Sequence, residues 1–376
     1  MNTHLPPEAW AAALAGLPKM GPSRLLTLLR TWSPDDAWRQ VITRTWVRHP
    51  ACARVAGDSM IDLANRWSNA ANRTDVASVW QQHVDAGIGV AALGSNAYPA
   101  ALATDIEPPG VLFTSGDPNA ISGPRVAIVG TRAATRYGLD VAFDLGHDLA
   151  SAGVAIVSGL AIGIDAAAHA GAVAADTAPP VGVVGSGLDV IYPRRNAVLW
   201  REVARRGVLV GEAPSGAPPE RWRFPARNRI IAALADVVVV VESRESGGSM
   251  HTVTEAQRRN RPVFAAPGSV RSAASSGTNR LLSEGAQVAC DAGDVLVALG
   301  LSAALSRPVR DPRTQPSAED TAVLDAIGWS PASLDGLAAR LPTSLGALSL
   351  SLHRLCEQGW LVERAGWFER AARSEP

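Results

Sequence analysis

Val237 to Val241 are five consecutive valines. A run of β-branched residues with no polar alternation reads as a strand buried on both faces, as in a parallel sheet. Similar short runs recur at Val126–Val129, Val154–Val157, Val181–Val184, Val208–Val210 and Val263–Ala265, each separated from the next by a helical pattern. Strands that alternate with helices build βαβ units, so the expected fold class is α/β, a doubly wound parallel sheet. In such a sheet, ligands occupy the crevice at the carboxyl ends of the strands. The residues that follow each strand are therefore the ones to read for function.

The bulk numbers narrow the options. A chain of 376 residues is long enough for two or three domains, and 47% hydrophobic residues supply a sizeable core. The formal net charge is zero, so any polyanion must be held by a local patch. Lys19 is the one lysine and every other basic residue is arginine, a bias that a GC-rich genome explains. Cys52, Cys290 and Cys356 lie far apart without a C-x-x-C pair, which supports neither a disulfide framework nor a zinc site. No basic-then-apolar leader opens the chain and no apolar run approaches the ~20 residues of a membrane span, so a cytoplasmic protein is expected.

Four segments are expected: a helical domain at 1–78, the α/β core at 79–300, a linker at 301–318 rich in Pro, Ser and Arg, and a winged helix at 319–376. In the first, Leu17-Pro18-Lys19-Met20-Gly21-Pro22 separates two apolar helical patterns like the turn of a helix-hairpin-helix, or like an ordinary connection in a small bundle.

The loops after the strands carry the chemistry. Gly130, Thr131 and Arg132 follow the first strand of the core pattern. Gly159 and Gly163 bracket a helix start after the second, where amides can meet an anion. Asp165 and His169 share a face of that helix, which reads as a cap and a packed histidine more readily than as an acid–base pair. Arg194 and Arg195 follow the third strand. Arg221, Phe224, Arg227 and Arg229 precede the valine run, and Gly247, Gly248 and Ser249 follow it at a helix start suited to an anion. Arginines with an aromatic beside such a nest suit nucleic acid or a nucleotide. Arg227 and Arg229 also have a structural alternative, pairing with nearby carboxylates. Neither a G-x-G-x-x-G fingerprint nor a Walker A sequence is present, and no Ser–His–Asp or Cys–His set is evident.

These blocks resemble the DNA-processing protein A (DprA, also Smf) family. The resemblance runs through Tyr98-Pro99, Pro108 to Phe113, Val129 to Arg132, Tyr137-Gly138, Ser158-Gly159, Gly163 to Asp165 and Ala168-His169. It continues in Gly187 to Asp189, Tyr192-Pro193, Phe224 to Ile231, Pro267 to Ser269 and Gly277 to Leu282. It implies an extended Rossmann-like core that binds single-stranded DNA without sequence preference, with a helical domain of SAM or helix-hairpin-helix type before it. It also implies a homodimer, loading of the RecA recombinase onto the strand, relief of the barrier set by single-strand-binding protein, and a role in natural transformation. No enzymatic activity, cofactor, metal or membrane partner is implied. By resemblance, the DNA pocket maps onto Arg132, Arg194, Arg221 and Phe224. Where the family usually has Ser-Gly-Ala/Ser before the helix, this chain has Gly247-Gly248-Ser249. A competing reading is a nucleotide-processing hydrolase or nucleotide sensor of the lysine-decarboxylase-like group, in which Thr252 and Glu255 follow the glycines. The spacing there is one residue too long, and His251 stands where that group has glycine.

Overall fold

The valine run becomes the centre of a nine-stranded sheet in the computed structural model, which describes residues 5–57, 60–301, 313–328 and 330–371. The strands are β1 (Gly89–Ala92), β2 (Val111–Gly116), β3 (Arg125–Val129), β4 (Ala155–Ser158), β5 (Val181–Val183), β6 (Val208–Gly211), β7 (Val237–Val240), β8 (Val263–Ala265) and β9 (Gln287–Val288). Their order is β1-β2-β6-β5-β4-β3-β7-β8-β9. From β6 to β9 every pairing is parallel. The expected all-parallel sheet needs one correction: β2 pairs antiparallel with both β1 and β6. This edge comes before the first βαβ crossover, and antiparallel neighbours need no crossover helix.

Among the described residues, six α-helices precede the sheet: α1 (Pro7–Ala15), α2 (Pro22–Thr31), α3 (Pro34–Thr43), α4 (Pro50–Ala56), α5 (Met60–Ala71) and α6 (Val76–Asp85). Helix α6 runs through the boundary expected at residue 78. Around and between the strands come α7 (Ala100–Ala103), α8 (Arg136–Ser151), α9 (Ile164–Ala175), α10 (Ala197–Arg206), α11 (Arg223–Leu234), α12 (Met250–Arg258), α13 (Ser276–Ser283) and α14 (Ala292–Ala298). The pleat of β7 sorts its valines between two layers. Val238 and Val240 pack with Ile230 and Ile231 of α11 and Val253 of α12, while Val237 and Val239 pack with Leu145 and Leu149 of α8 and Ala168 of α9. That double burial is why the sequence there has no polar alternation.

The N-terminal helices share a core with the sheet edge. Leu14, Leu28, Trp38, Trp46 and Trp67 belong to one buried cluster with Val90, Val111, Phe113 and Leu209. Trp67 donates its indole N–H to the Pro18 carbonyl at 2.8 Å, which fixes the turn between α1 and α2.

The C-terminal segment has its own buried cluster, built on Val323, Leu337, Leu348, Leu352 and Leu361. It contains α15 (Ala318–Ile327), β10 (Ala332–Ser333), α16 (Leu334–Ala338), α17 (Leu345–Glu357), β11 (Leu361–Arg364) and β12 (Trp367–Arg370), with strand order β10-β12-β11, the arrangement of a winged helix. Most of the expected linker, 302–312, lies outside the described residues. Among the described residues no helix is long and apolar enough to cross a membrane.

Candidate nucleic-acid interface

The strand order reverses between β3 and β7, because β4, β5 and β6 lie on one side of β3 and β8 and β9 lie beyond β7. This is the switch point at which an open α/β sheet leaves a crevice. Glu242, buried just past β7, holds the crevice loops together. Its carboxylate accepts from the Thr135 amide at 2.8 Å and the Thr135 hydroxyl at 2.6 Å, and its carbonyl accepts from the Thr131 amide at 2.7 Å. Gly163 has φ +85, and a Cβ there would meet the Thr131 carbonyl at 2.4 Å, so the start of α9 can lie close under the β3 loop only with glycine.

Above these loops lies an open cleft of about 820 Å³. Nine of the expected residues line it: Gly130, Thr131, Arg132, Arg221, Phe224, Arg227, Gly247, Gly248 and Ser249. Phe224, in the first turn of α11, is half-buried and flanked on two sides. The Arg132 guanidinium stands 5.3 Å from its ring centroid and the Tyr192 ring 5.6 Å away. An aromatic ring beside an arginine is a combination on which a base stacks and a phosphate pairs. Arg132, Arg221 and Arg244 are exposed and form no ion pair among the described residues. The amides of Gly248 and Ser249 likewise make no hydrogen bond among the described residues, whereas the Gly247 amide is taken by the Arg244 carbonyl. The Ser249 hydroxyl turns inward to Ser243 at 2.8 Å, so the expected nest offers amides and no hydroxyl.

Other expected residues take different places. Arg229 is turned away from the cleft. It pairs with Glu212 at 2.5 Å and donates to the Glu107 carbonyl at 2.7 Å, with both Arg229 and Glu212 largely buried. An R-x-R step places its two side chains about 200° apart around the helix, so Arg227 and Arg229 cannot serve one face. Arg227 lies in the cleft floor, buried, donating to the Val183 carbonyl. Burial pushes its guanidinium down to about 10, partly offset by the nearby Asp165. Gly159 is the residue that lets this side chain pass, since a Cβ there would meet Arg227 at 1.9 Å. The Gly159 amide donates to Asp165 at 3.1 Å, so it is not available to an anion. Arg194 is exposed in a short 3-10 turn beyond Tyr192 and outside the cleft lining. That turn is held beside the cleft by Asn196, whose amide donates to the Leu160 and Ala161 carbonyls at 3.0 and 3.2 Å.

Asp165 and His169 are both buried, as a cap and a packed ring would be. His169 Nε2–H donates to the Val181 carbonyl at 3.2 Å, and burial lowers its pKa to about 4, so the ring is neutral. Burial raises the Asp165 pKa, opposed by Arg227. Glu255 does not line the cleft and is engaged by Arg258 at 2.9 Å and by Arg259. No group of three or more potential metal ligands converges among the described residues.

Arg244, Asn228 and Tyr192 line the cleft but were absent from the expected site. Arg244 had a readable signal, being the first cation after β7 as Arg132 is after β3. In the C-terminal segment, both basic residues of α17 are paired within that segment: Arg354 with Asp320 at 2.8 Å and His353 with Glu357 at 3.4 Å.

The family model of DNA recombination-mediator protein A matches residues 89–300. The DNA processing protein DprA of Bacillus subtilis is 39% identical over 210 residues, covering 56% of this chain and 70% of that protein. The crystal structure of DNA processing protein A from Streptococcus pneumoniae superposes with a TM-score of 0.64 at 27% identity, covering 78% of this chain and 98% of that one. A solved structure concerned with the single-stranded DNA binding mode of DNA processing protein A from Helicobacter pylori gives a TM-score of 0.51 at 32% identity, covering 56% and 95%.

Proposed function

The chain belongs to the DNA recombination-mediator protein A family, the DprA/Smf group, and on that premise we propose that its switch-point cleft binds single-stranded DNA without regard to sequence. One observation carries this reading: Phe224 stands between Arg132 and Tyr192 at a cleft bordered by guanidiniums that have no carboxylate partner among the described residues. A base stacked on Phe224 contributes about 1–3 kcal/mol whatever its identity, because every base has a π-face. Arg132, Arg221 and Arg244 neutralise phosphates on either side, and the Gly248 and Ser249 amides add a contact that needs no side chain. None of these groups reads a base edge, hence no sequence preference.

The protein's role in this account is binding, not catalysis. It holds incoming single strands for recombination in natural transformation and presents them to the RecA recombinase past single-strand-binding protein. It acts as a homodimer. These steps rest on the family resemblance. The engagement of Glu255 by two arginines weighs against the hydrolase reading, which needs a free carboxylate beside the glycines.

The test is fluorescence anisotropy of a labelled dT oligomer at two salt concentrations, with duplex DNA and AMP as competitors. Salt-sensitive binding that neither competitor displaces is expected. No binding at low salt, or displacement by AMP alone, contradicts the reading.

A further inference from the structure

We propose that a single strand held in the cleft continues over Trp222 into a second groove, where the core meets the hairpin between α1 and α2. This rests on the single-strand reading above. Trp222 is 44% exposed, although a large apolar ring is ordinarily covered. Its orientation is fixed: the indole N–H donates to Glu220 at 3.1 Å, and the Arg223 guanidinium lies 4.6 Å from the ring centroid. A ring held in place with a cation beside it is the same arrangement that Phe224 and Arg132 make in the first cleft.

The groove beside Trp222 has a volume of about 680 Å³ and is bordered by Lys19, Arg24, Gln82 and Arg223. Lys19 and Arg24 form no ion pair among the described residues, and the guanidinium of Arg24 donates to the Lys19 carbonyl at 2.8 Å. Glu220, the one carboxylate on the groove among the described residues, accepts from Arg223 at 2.9 Å. With Glu220 neutralised by Arg223, Lys19 and Arg24 leave two uncompensated cations on the groove in a chain of zero net charge, which suits a polyanion.

The two grooves flank one tetrapeptide. Arg221 and Phe224 line the cleft, whereas Trp222 and Arg223 line the hairpin groove. Trp222 and Phe224 stand two residues apart at the start of α11 and face different grooves, so a strand that stacks a base on Phe224 turns around this end of the helix to stack another on Trp222 and bring its next phosphates to Lys19 and Arg24. This also gives a role to the turn Leu17–Pro22, whose conformation includes Lys19 at φ 57.

The test compares two labelled dT oligomers, one of about 6 and one of about 20 nucleotides, spanning the usual range of single-strand site sizes. The wild type is expected to bind the longer one more tightly. Trp222→Ala should weaken the longer oligomer at least about fivefold and leave the shorter one unchanged, and Trp222→Phe should restore most of the affinity. Lys19→Ser with Arg24→Ser should flatten the salt dependence for the longer oligomer alone. Phe224→Ala should weaken both. If wild type binds both oligomers but Trp222→Ala matches it on each, the second groove is refuted and the cleft stands. If wild type binds neither, both readings fall together.

Discussion

Residues of one type have opposite duties here, and substitution should separate them. Arg132 is exposed over Phe224, so Arg132→Ala is expected to leave stability within about 0.5 kcal/mol and to weaken single-strand binding on every sequence. Arg229 is buried against Glu212, so Arg229→Ala is expected to cost about 3–5 kcal/mol of stability by stranding a buried carboxylate. Denaturant unfolding with dT anisotropy on the folded fraction checks both. Phe224→Ala should cost about 1–3 kcal/mol of affinity with an unchanged salt slope, since stacking releases few counterions. The sequence made Arg132 and Phe224 legible because both sit where loops leave strand ends or enter α11. It could not sort Arg227 from Arg229, because helix phase relative to the sheet is set by packing. Nor did it reveal that the Ser249 hydroxyl turns to Ser243, a choice made by local geometry.

At the level of elements, single buried polar groups pin the loops and helices that shape the cleft. Glu242 accepts two bonds from Thr135, so Glu242→Ala should cost about 1–3 kcal/mol through unsatisfied donors and should weaken DNA binding without touching the ligand. Wild-type affinity in that variant at full folding would show that the β3 loop needs no such anchor. Helix α9 is tied to β5 by His169, which is neutral in the fold with a pKa lowered to about 4 from 6.5. The unfolded state therefore binds more protons below pH 6.5, and the stability contributed by neutral burial is present above that pH. It is lost as pH falls from 6.5 through 4. Asp165 opposes this, since its raised pKa favours the fold as it protonates. Comparing wild type with His169→Gln isolates the histidine: their stability difference should shrink across that window, and a constant difference would contradict the assignment. The central strands were legible from valine content, because burial on two faces leaves a compositional mark. Strands β1 and β9 left none, being short and built of residues such as Gly89, Ala91 and Gln287, whose pairing is decided by neighbours distant in sequence.

For the whole molecule, the division of the core governs how it unfolds. The N-terminal helices and the sheet edge share one apolar cluster, while the winged helix has another. Residues 5–301 are expected to unfold in one transition, and removal of residues 313–376 should leave its midpoint unchanged. A separate early transition of the N-terminal helices would contradict the shared core. The sequence marked these helices as a separate segment because its texture changes near residue 78. That Val111 and Phe113 share one buried cluster with Leu14 and Trp38 is a long-range fact that local texture does not carry. The net charge of zero says the same of electrostatics: attraction for a polyanion is confined to the cleft and its surroundings, so its removal should be complete when a few arginines are gone.

The most direct measurement of that claim is the salt dependence of dT-oligomer affinity for wild type and for Arg132→Ala with Arg221→Ala. The account predicts that the logarithmic slope falls by about 0.7 for each phosphate no longer neutralised, roughly 1.4 in the double variant, with a uniform weakening across base compositions. An unchanged slope and affinity in the folded double variant would show that the strand does not bind in the switch-point cleft.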